Sequence, residues 1–523
     1  MNSILFASAD VSTGTTIFFA LLLVGLIVCL ALEEKLHAKK SVIAGLFAVV
    51  CLLLGTCFQL LPYEQIVVGS HEVVSHDEFH ASYLDSVEHD LEEIDVEAVS
   101  AEAGHSPATE ESEHAESTAD EHDVHVDGHR ISMPVYIPAI DWGVIAIIIG
   151  SSLFVDITSR SGLFTWIAIK VTKASKGDPL ILLIYYGLMT VVFSAVLNNV
   201  TAMIIVGSLT AVSLEKLGRR DKLLSFLLTE GLLTNIGGLL TLISSVPNII
   251  VGTAAGISFV KFFVVASPFV VVATIATLFM AAKLFNIKRL STKEEKQKAT
   301  ELVAGFDEND GIESWGFFYF GASMLVLFIL TIATTSVMPY LQQLEMGFVA
   351  LAFAAIMLLR FKSEVDQFYK AVDWDLIGFF MALFVVIYVM EYAGVLHMIG
   401  SGLDYALKDI TASTANPKDA GILLVGAAGF SSVTDNIPLA AMLANILSDL
   451  GTPTSSGLWW SIIFGANLGG NLTPIGSAST LVAVTLIHKY KLPMSFAGFV
   501  KIAFPFAMLH IAMATVYVLL FLR

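Results

Sequence analysis

The chain has 523 residues, of which 56% are hydrophobic and 14% charged. So much apolar sequence with so little charge excludes a water-soluble globular domain and indicates a polytopic membrane protein. The formal net charge of −19 belongs to one segment: residues 64–130 hold 20 Asp and Glu and one basic residue, Arg130, leaving 27 acidic and 27 basic residues elsewhere.

The first apolar run spans 16–32 and the second 41–61, joined by the basic turn EEKLHAKK. Basic residues mark the cytoplasmic side, so the amino terminus and the acidic segment are expected to face outward. The amino terminus lacks the basic n-region of a cleaved signal, so the first run is expected to remain a membrane helix. Cys29, Cys51 and Cys57 lie in or beside these runs, too few for a disulfide framework or a metal cluster. Residues 64–135 form an acidic extracytoplasmic loop that holds nine of the 13 histidines and reads as a solvated, disordered segment. His122, His125 and His129 are its candidates for weak divalent binding, although no third ligand accompanies them on a convincing helix.

The run 141–157 goes inward and ends among Arg160, Lys170, Lys173 and Lys176. From Lys176 to the cluster EKLGRRDK at 215–222 the chain is apolar, and both ends are basic, so it returns to the side it left. Two full spans need about 40 residues plus a turn, so a re-entrant hairpin fits better, with its tip in SAVLNNVTAM at 194–203. A broken helix at 223–255, a return helix at 259–285, a charged linker at 286–313 and two crossings at 315–338 and 345–359 follow, closed by RFKSEVDQFYK.

The chain then repeats itself. TNIGGLLTLISSVPN at 234–248 and ANLGGNLTPIGSAST at 466–480 align at an offset of 232, which pairs Asn235, Gly237, Gly238, Thr241 and Ser245 with Asn467, Gly469, Gly470, Thr473 and Ser477. The same offset pairs Asp141-Trp142 with Asp373-Trp374 and Gly162 with Gly394. The first copy starts outside and the second inside, which is the pattern of an inverted repeat. A second hairpin at 421–447 has the tip FSSVTDNIPLAAM, a second broken helix covers 458–487, and the last helix covers 496–522. The expected fold class is an all-α polytopic membrane protein with inverted-topology repeats, two re-entrant hairpins and two broken transmembrane helices. It divides into two N-terminal helices (1–63), the loop (64–135), the first repeat (136–285), a linker with two connecting helices (286–370) and the second repeat (371–523).

Non-helical backbone at membrane depth is tolerated only where it lines a protein- or water-filled cavity. Carbonyls freed at the glycine pairs, with oxygens from Asn198, Asn199, Thr201, Asn235, Ser244, Ser245, Thr434, Asn436, Asn467, Thr473 and Ser477, make a shell of hard ligands suited to Na⁺ or Li⁺. Asp156, Glu230, Glu391 and Asp435 are carboxylates in apolar sequence, and an intramembrane carboxylate is a functional candidate by default. Burial favours the neutral acid and a bound cation favours the ionised form, so protons and cations compete for one group. Glu230 also reads as a brace of the broken helix, and Glu391 and Asp141 stand near membrane ends where solvated or pairing roles fit equally.

LNNVTAM, TNIGGLLTLISSVPNIIVG, VTDNIPLAAM and GANLGGNLTPIGSASTLVAV resemble the paired signatures of NhaD-type sodium/proton antiporters. These belong to the ion-transporter superfamily that includes arsenite-pump and sodium/dicarboxylate carriers, and the resemblance covers residues 140–520. It implies a homodimer in the bacterial inner membrane, with a scaffold and an elevator-like transport domain that exchanges cytoplasmic Na⁺ or Li⁺ for external H⁺. It maps an ion site onto Asp156, Asn199, Thr201, Asn235, Ser245, Asp435, Asn436, Asn467 and Ser477. An anion carrier on the same fold is the first alternative, but Asp435 in the second tip and the lack of Arg or Lys near either tip favour a cation. A metal-buffering or pH-sensing protein acting through the His-rich loop is the second. There is no nucleophile–base pair, phosphate loop or metal-ligand spacing, so neither an enzyme, a cofactor nor a nucleic-acid partner is expected.

Overall fold

The computed structural model describes residues 11–61, 65–69, 128–132, 134, 136–362, 365–370, 372–434 and 436–522. Among these, nine helices are long and apolar enough to cross a membrane. The chain divides into one unit of Met1–Leu61 with Ala139–Arg523 and a second of Pro62–Pro138.

Among the described residues the membrane body is all-helical as expected, and the second unit adds one short ribbon. Gln65–Gly69 (β1) pairs antiparallel with Gly128–Ser132 (β2), with Gln65 opposite Ser132 and Gly69 opposite Gly128. The Ile-Val-Val run of β1 has the branched side chains that fit a pleated ribbon, a signal outweighed in the sequence by the acidic residues that follow. His129 stands on β2 opposite Val68, whereas His122 and His125 lie outside the described residues.

The first unit opens with α1 (Thr13–Ala31), the short α2 (Glu33–Leu36) and α3 (Lys40–Cys57). Seven helices of the first repeat follow: α4 (Trp142–Ser159), α5 (Leu163–Ala174), α6 (Pro179–Val196), α7 (Asn199–Lys216), α8 (Leu223–Gly237), α9 (Val246–Ala254) and α10 (Phe259–Leu284). The linker carries α11 (Lys293–Ala304) and leads to α12 (Trp315–Thr334), α13 (Leu341–Leu358) and the short α14 (Val365–Tyr369). Helix α13 is interrupted at Glu345, whose φ of 60° and ψ of 176° are non-helical. The second repeat again has seven helices: α15 (Trp374–Tyr392), α16 (Val395–Ala406), α17 (Pro417–Ser431), α18 (Asn436–Asp449), α19 (Leu458–Gly469), α20 (Ala478–Lys489) and α21 (Phe496–Phe521).

Matching local chemistry starts matching helices. Asp141 caps α4 by accepting from the Val144 amide, and Asp373 caps α15 by accepting from that of Leu376. Gly162 and Gly394 hold φ of 80° and 73° at the entries of α5 and α16, a left-handed backbone that glycine adopts without strain. Asp178-Pro179 and Asn416-Pro417 start α6 and α17 with a side-chain cap followed by proline in the first turn. Helices α10 and α21 are both 26 residues long, capped by Ser258 and Ser495, with Pro268 and Pro505 inside.

The core lies around the broken helices. All twelve residues of α19 are buried, as are those from Phe226 to Gly237 in α8, and a helix that is covered on every face sits inside its bundle. The two repeats interlock here: α9 packs against α18 and α19 of the second repeat, while α20 packs against α7 and α8 of the first.

Candidate functional site

Each broken helix stops at a glycine pair pressed by a hairpin. A Cβ at Gly237 would lie 2.7 Å from the Val191 carbonyl oxygen of α6, and one at Gly469 would lie 2.3 Å from that of Ala428 in α17. Only a hydrogen fits at these close backbone approaches. Helix α8 ends at Gly237 and α9 resumes at Val246, with a 3-10 turn at Leu242–Ser244 between them. Helix α19 ends at Gly469 and α20 resumes at Ala478.

The carbonyls released by the first break are taken up by side chains, as buried backbone acceptors require. Gly238 O accepts from Ser244 Oγ at 2.5 Å and from Asn248 Nδ2 at 2.6 Å, and Thr241 O accepts from the same two groups at 2.8 and 3.0 Å. Two further bonds tie each hairpin to its own break, and they are duplicated. Ser194 Oγ donates to Thr234 O at 2.7 Å and Thr241 Oγ1 to Ala195 O at 2.5 Å. In the second repeat Ser431 Oγ donates to Ala466 O and Thr473 Oγ1 to Ser432 O, both at 2.5 Å.

Across the interface between the repeats, Asn235 Nδ2 donates to Ser477 Oγ at 2.8 Å and, in the mirrored pair, Ser245 Oγ donates to Asn467 Oδ1 at 2.8 Å. Asn235 also donates to Asn471 Oδ1 at 2.9 Å, accepts from Ser479 Oγ at 2.9 Å and from Asn199 Nδ2 at 3.4 Å. Asn467 Nδ2 donates to Asn248 Oδ1 at 2.8 Å. Asn235, Asn248, Asn467 and Asn471 are all fully buried. The result is a neutral amide and hydroxyl cluster drawn from both breaks and one hairpin tip. Its oxygens are hard ligands, the donor set that a small cation takes.

The remaining candidates are placed differently. Asn198 caps α7 by accepting from the Thr201 amide at 2.8 Å, so Thr201 contributes its backbone there. Asn436 is buried at the first position of α18, and Thr434 Oγ1 donates back to Phe430 O at 2.9 Å. Asp435 lies outside the described residues. Glu230 is buried in α8, where its Oε1 accepts from Thr210 Oγ1 at 2.6 Å and its Oε2 has no partner among the described residues. Asp156 is not brought to the cluster: it is half-buried on α4 and pairs with Arg160 one turn on, at 3.4 Å. Arg160 in turn stacks on Phe368 and donates to Gln367.

Asn248, Asn471, Ser479, Ser194 and Ser431 were missed as candidates. Asn248 and Asn471 have Thr480 and Leu239 at the repeat-related positions, so a search for duplicated residues passes over them. An amide inside an apolar segment was the available signal.

The citrate transporter family model, CitMHS, matches residues 124–465. An uncharacterized transporter of Mycobacterium bovis is 29% identical over 384 residues, covering 72% of this chain and 86% of the relative. The P protein of Homo sapiens is 24% identical over 470 residues, covering 75% of this chain and 55% of that protein. The crystal structure of the YdaH transporter of Alcanivorax borkumensis superposes with a TM-score of 0.52 over 97% of each chain at 9% identity, a likeness of fold. With its family model spanning more than half of the chain and transporters among its relatives, the protein is a membrane transporter and belongs to the citrate transporter family.

Proposed function

We propose that this transporter exchanges cytoplasmic Na⁺ or Li⁺ for external H⁺, with the cation held between the two Asn-Gly-Gly breaks. The observation that carries the reading is the cluster of Asn235, Asn467, Ser245 and Ser477, to which, among the described residues, no Lys or Arg is hydrogen-bonded or ion-paired. A cation entering there would exchange amide and hydroxyl donors for ion contacts, and two carboxylates, Glu230 five residues before Asn235 and Asp435 in the second hairpin tip, would carry the counter-transported proton. Re-entrant hairpins, an elevator movement, a homodimer and a place in the bacterial inner membrane belong to the same proposal. The interlocking of each break with the opposite repeat supports movement of hairpins and breaks as one body.

The family's description favours a second reading, a carrier of citrate or another carboxylate. The amide and hydroxyl donors of the cluster suit a carboxylate as well. Proteoliposomes of the purified protein loaded with a pH dye separate the two. Dissipation of a preset pH gradient on adding Na⁺ or Li⁺, with no response to K⁺ and no uptake of labelled citrate or arsenite, is expected. Citrate uptake without cation-dependent proton movement would overturn the exchange reading in favour of the second.

A further inference from the structure

A column of buried polar side chains runs through the first repeat from its basic end. Thr172 Oγ1, on the last turns of α5, shares a hydrogen bond with Tyr186 Oη at 2.8 Å, and Tyr186 Oη shares another with Ser213 Oγ at 2.6 Å. Three residues before Ser213 on α7, Thr210 holds Glu230. Thr172, Tyr186, Ser213, Thr210 and Glu230 are each at most 5% exposed, while the neighbouring Lys170 and Lys173 side chains reach solvent. Glu230 lies close enough to Tyr186 to act on it electrostatically, and among the described residues no cationic side chain hydrogen-bonds or ion-pairs with it.

The column has no counterpart in the second repeat. At the register set by Asn235 and Asn467, Glu230 corresponds to Ile462. At the register set by Ser194 and Ser431, Tyr186, Thr210 and Ser213 correspond to Leu423, Leu447 and Leu450. The second repeat places an aliphatic residue at each of these positions, so packing alone does not require a polar one. Burying a carboxyl oxygen without a partner costs several kcal/mol if charged, so the first repeat keeps these groups against their cost in stability.

We propose that Glu230 is a proton-binding site distinct from the amide cluster, loaded from the basic end of the membrane body through the hydroxyl relay Thr172–Tyr186–Ser213. Each hydroxyl accepts one proton and passes on its own, the proton ends on Glu230 Oε2, and rotation of the three hydroxyls resets the relay for the next transfer. The last stretch runs from Ser213 towards the carboxyl that Thr210 holds about one turn away on α7, and hydrogen-bonded water would complete it. The site deepens the exchange reading and rests on it only for what the proton is exchanged against.

Infrared difference spectroscopy of the full chain in lipid tests it. The spectrum of the wild type minus that of Glu230→Gln, which keeps the size and the Thr210 bond, should hold one carbonyl stretch of a protonated carboxylic acid that rises and falls with bath pH. In Tyr186→Phe, which keeps the buried ring, the same band should follow a pH jump about a hundredfold more slowly, the low end of what a positioned proton-transfer group contributes. The lack of any such band in that difference, or unchanged kinetics in Tyr186→Phe, would each overturn the proposal. Failure of Na⁺ to move protons in proteoliposomes would sink the exchange reading while leaving this band where it is, so the two failures are distinguishable.

Discussion

Asn235 and Ser477 are 242 residues apart in the chain, and their side chains meet at 2.8 Å. Ser245 and Asn467 meet at the same distance with the repeats interchanged. The duplicated sequence is thus duplicated in space as one reciprocal contact, in which each break is held by the polar side chains of the other.

Replacing Asn235 by Ala removes one hydrogen-bond partner each from Ser477, Asn471 and Ser479. Each buried polar group left without its partner costs about 1–3 kcal/mol. Asn235→Ala and Asn467→Ala are expected to lower the thermal unfolding midpoint in detergent and to abolish transport in proteoliposomes. Wild-type transport by either variant would remove the cluster from the site.

Gly237→Ala and Gly469→Ala place a methyl against hairpin backbone at 2.7 and 2.3 Å. Backbone cannot swing away as a side chain does, so overpacking of about 1–3 kcal/mol is expected at each. Gly421→Ala, where a Cβ meets nothing within 4 Å, is the control. It should be neutral or stabilising by up to about 1 kcal/mol, the ordinary difference between the two residues in a helix. Thermal unfolding of the three variants makes the comparison.

The linker is fastened to α5 through Glu308, which pairs with Lys170 at 2.9 Å and with Lys173. The Lys173 and Lys170 ammonium groups hold its carboxyl well below the usual carboxylate range, at about 2. A carboxyl lowered in the folded state stabilises above its unfolded value and loses that contribution as pH falls through the folded one. Hydrogen exchange in residues 286–313 should therefore quicken as pH drops from about 4 towards 2, beyond the intrinsic change, and less so in high salt, which screens exposed pairs. In Glu308→Gln this extra step should vanish.

Asp156 pairs with Arg160 on a partly exposed face, and such a pair contributes about 0–1 kcal/mol. Asp156→Asn should keep its unfolding midpoint and its cation-dependent proton movement, whereas Asp435→Asn should lose the latter. Loss of exchange in Asp156→Asn would show that its working partner is not Arg160.

The positions of helix interruption were legible in the sequence because their causes are local. A glycine pair, a capping Asp or Asn before proline, and a serine at the head of α10 or α21 act over a few residues wherever the chain goes. The kinship of the halves was legible too, since the same capping aspartate and left-handed glycine recur at one offset. The β1–β2 ribbon was not read, because its strands are short and bracket a segment whose composition reads as solvated.

The sequence by itself determined that this is a membrane protein made of two related halves, each with a helix broken at Asn-Gly-Gly, because apolar length, cap chemistry and glycine are properties of single segments. Only the tertiary structure decided which side chains share a site. It drew Asn248 and Asn471 into the cluster, left Asp156 with Arg160 and aligned Thr172, Tyr186 and Ser213 beneath Glu230. Apart from the i,i+4 pair of Asp156 and Arg160, those contacts join residues from different segments, some more than 200 positions apart, and they follow from how the helices pack rather than from any local pattern.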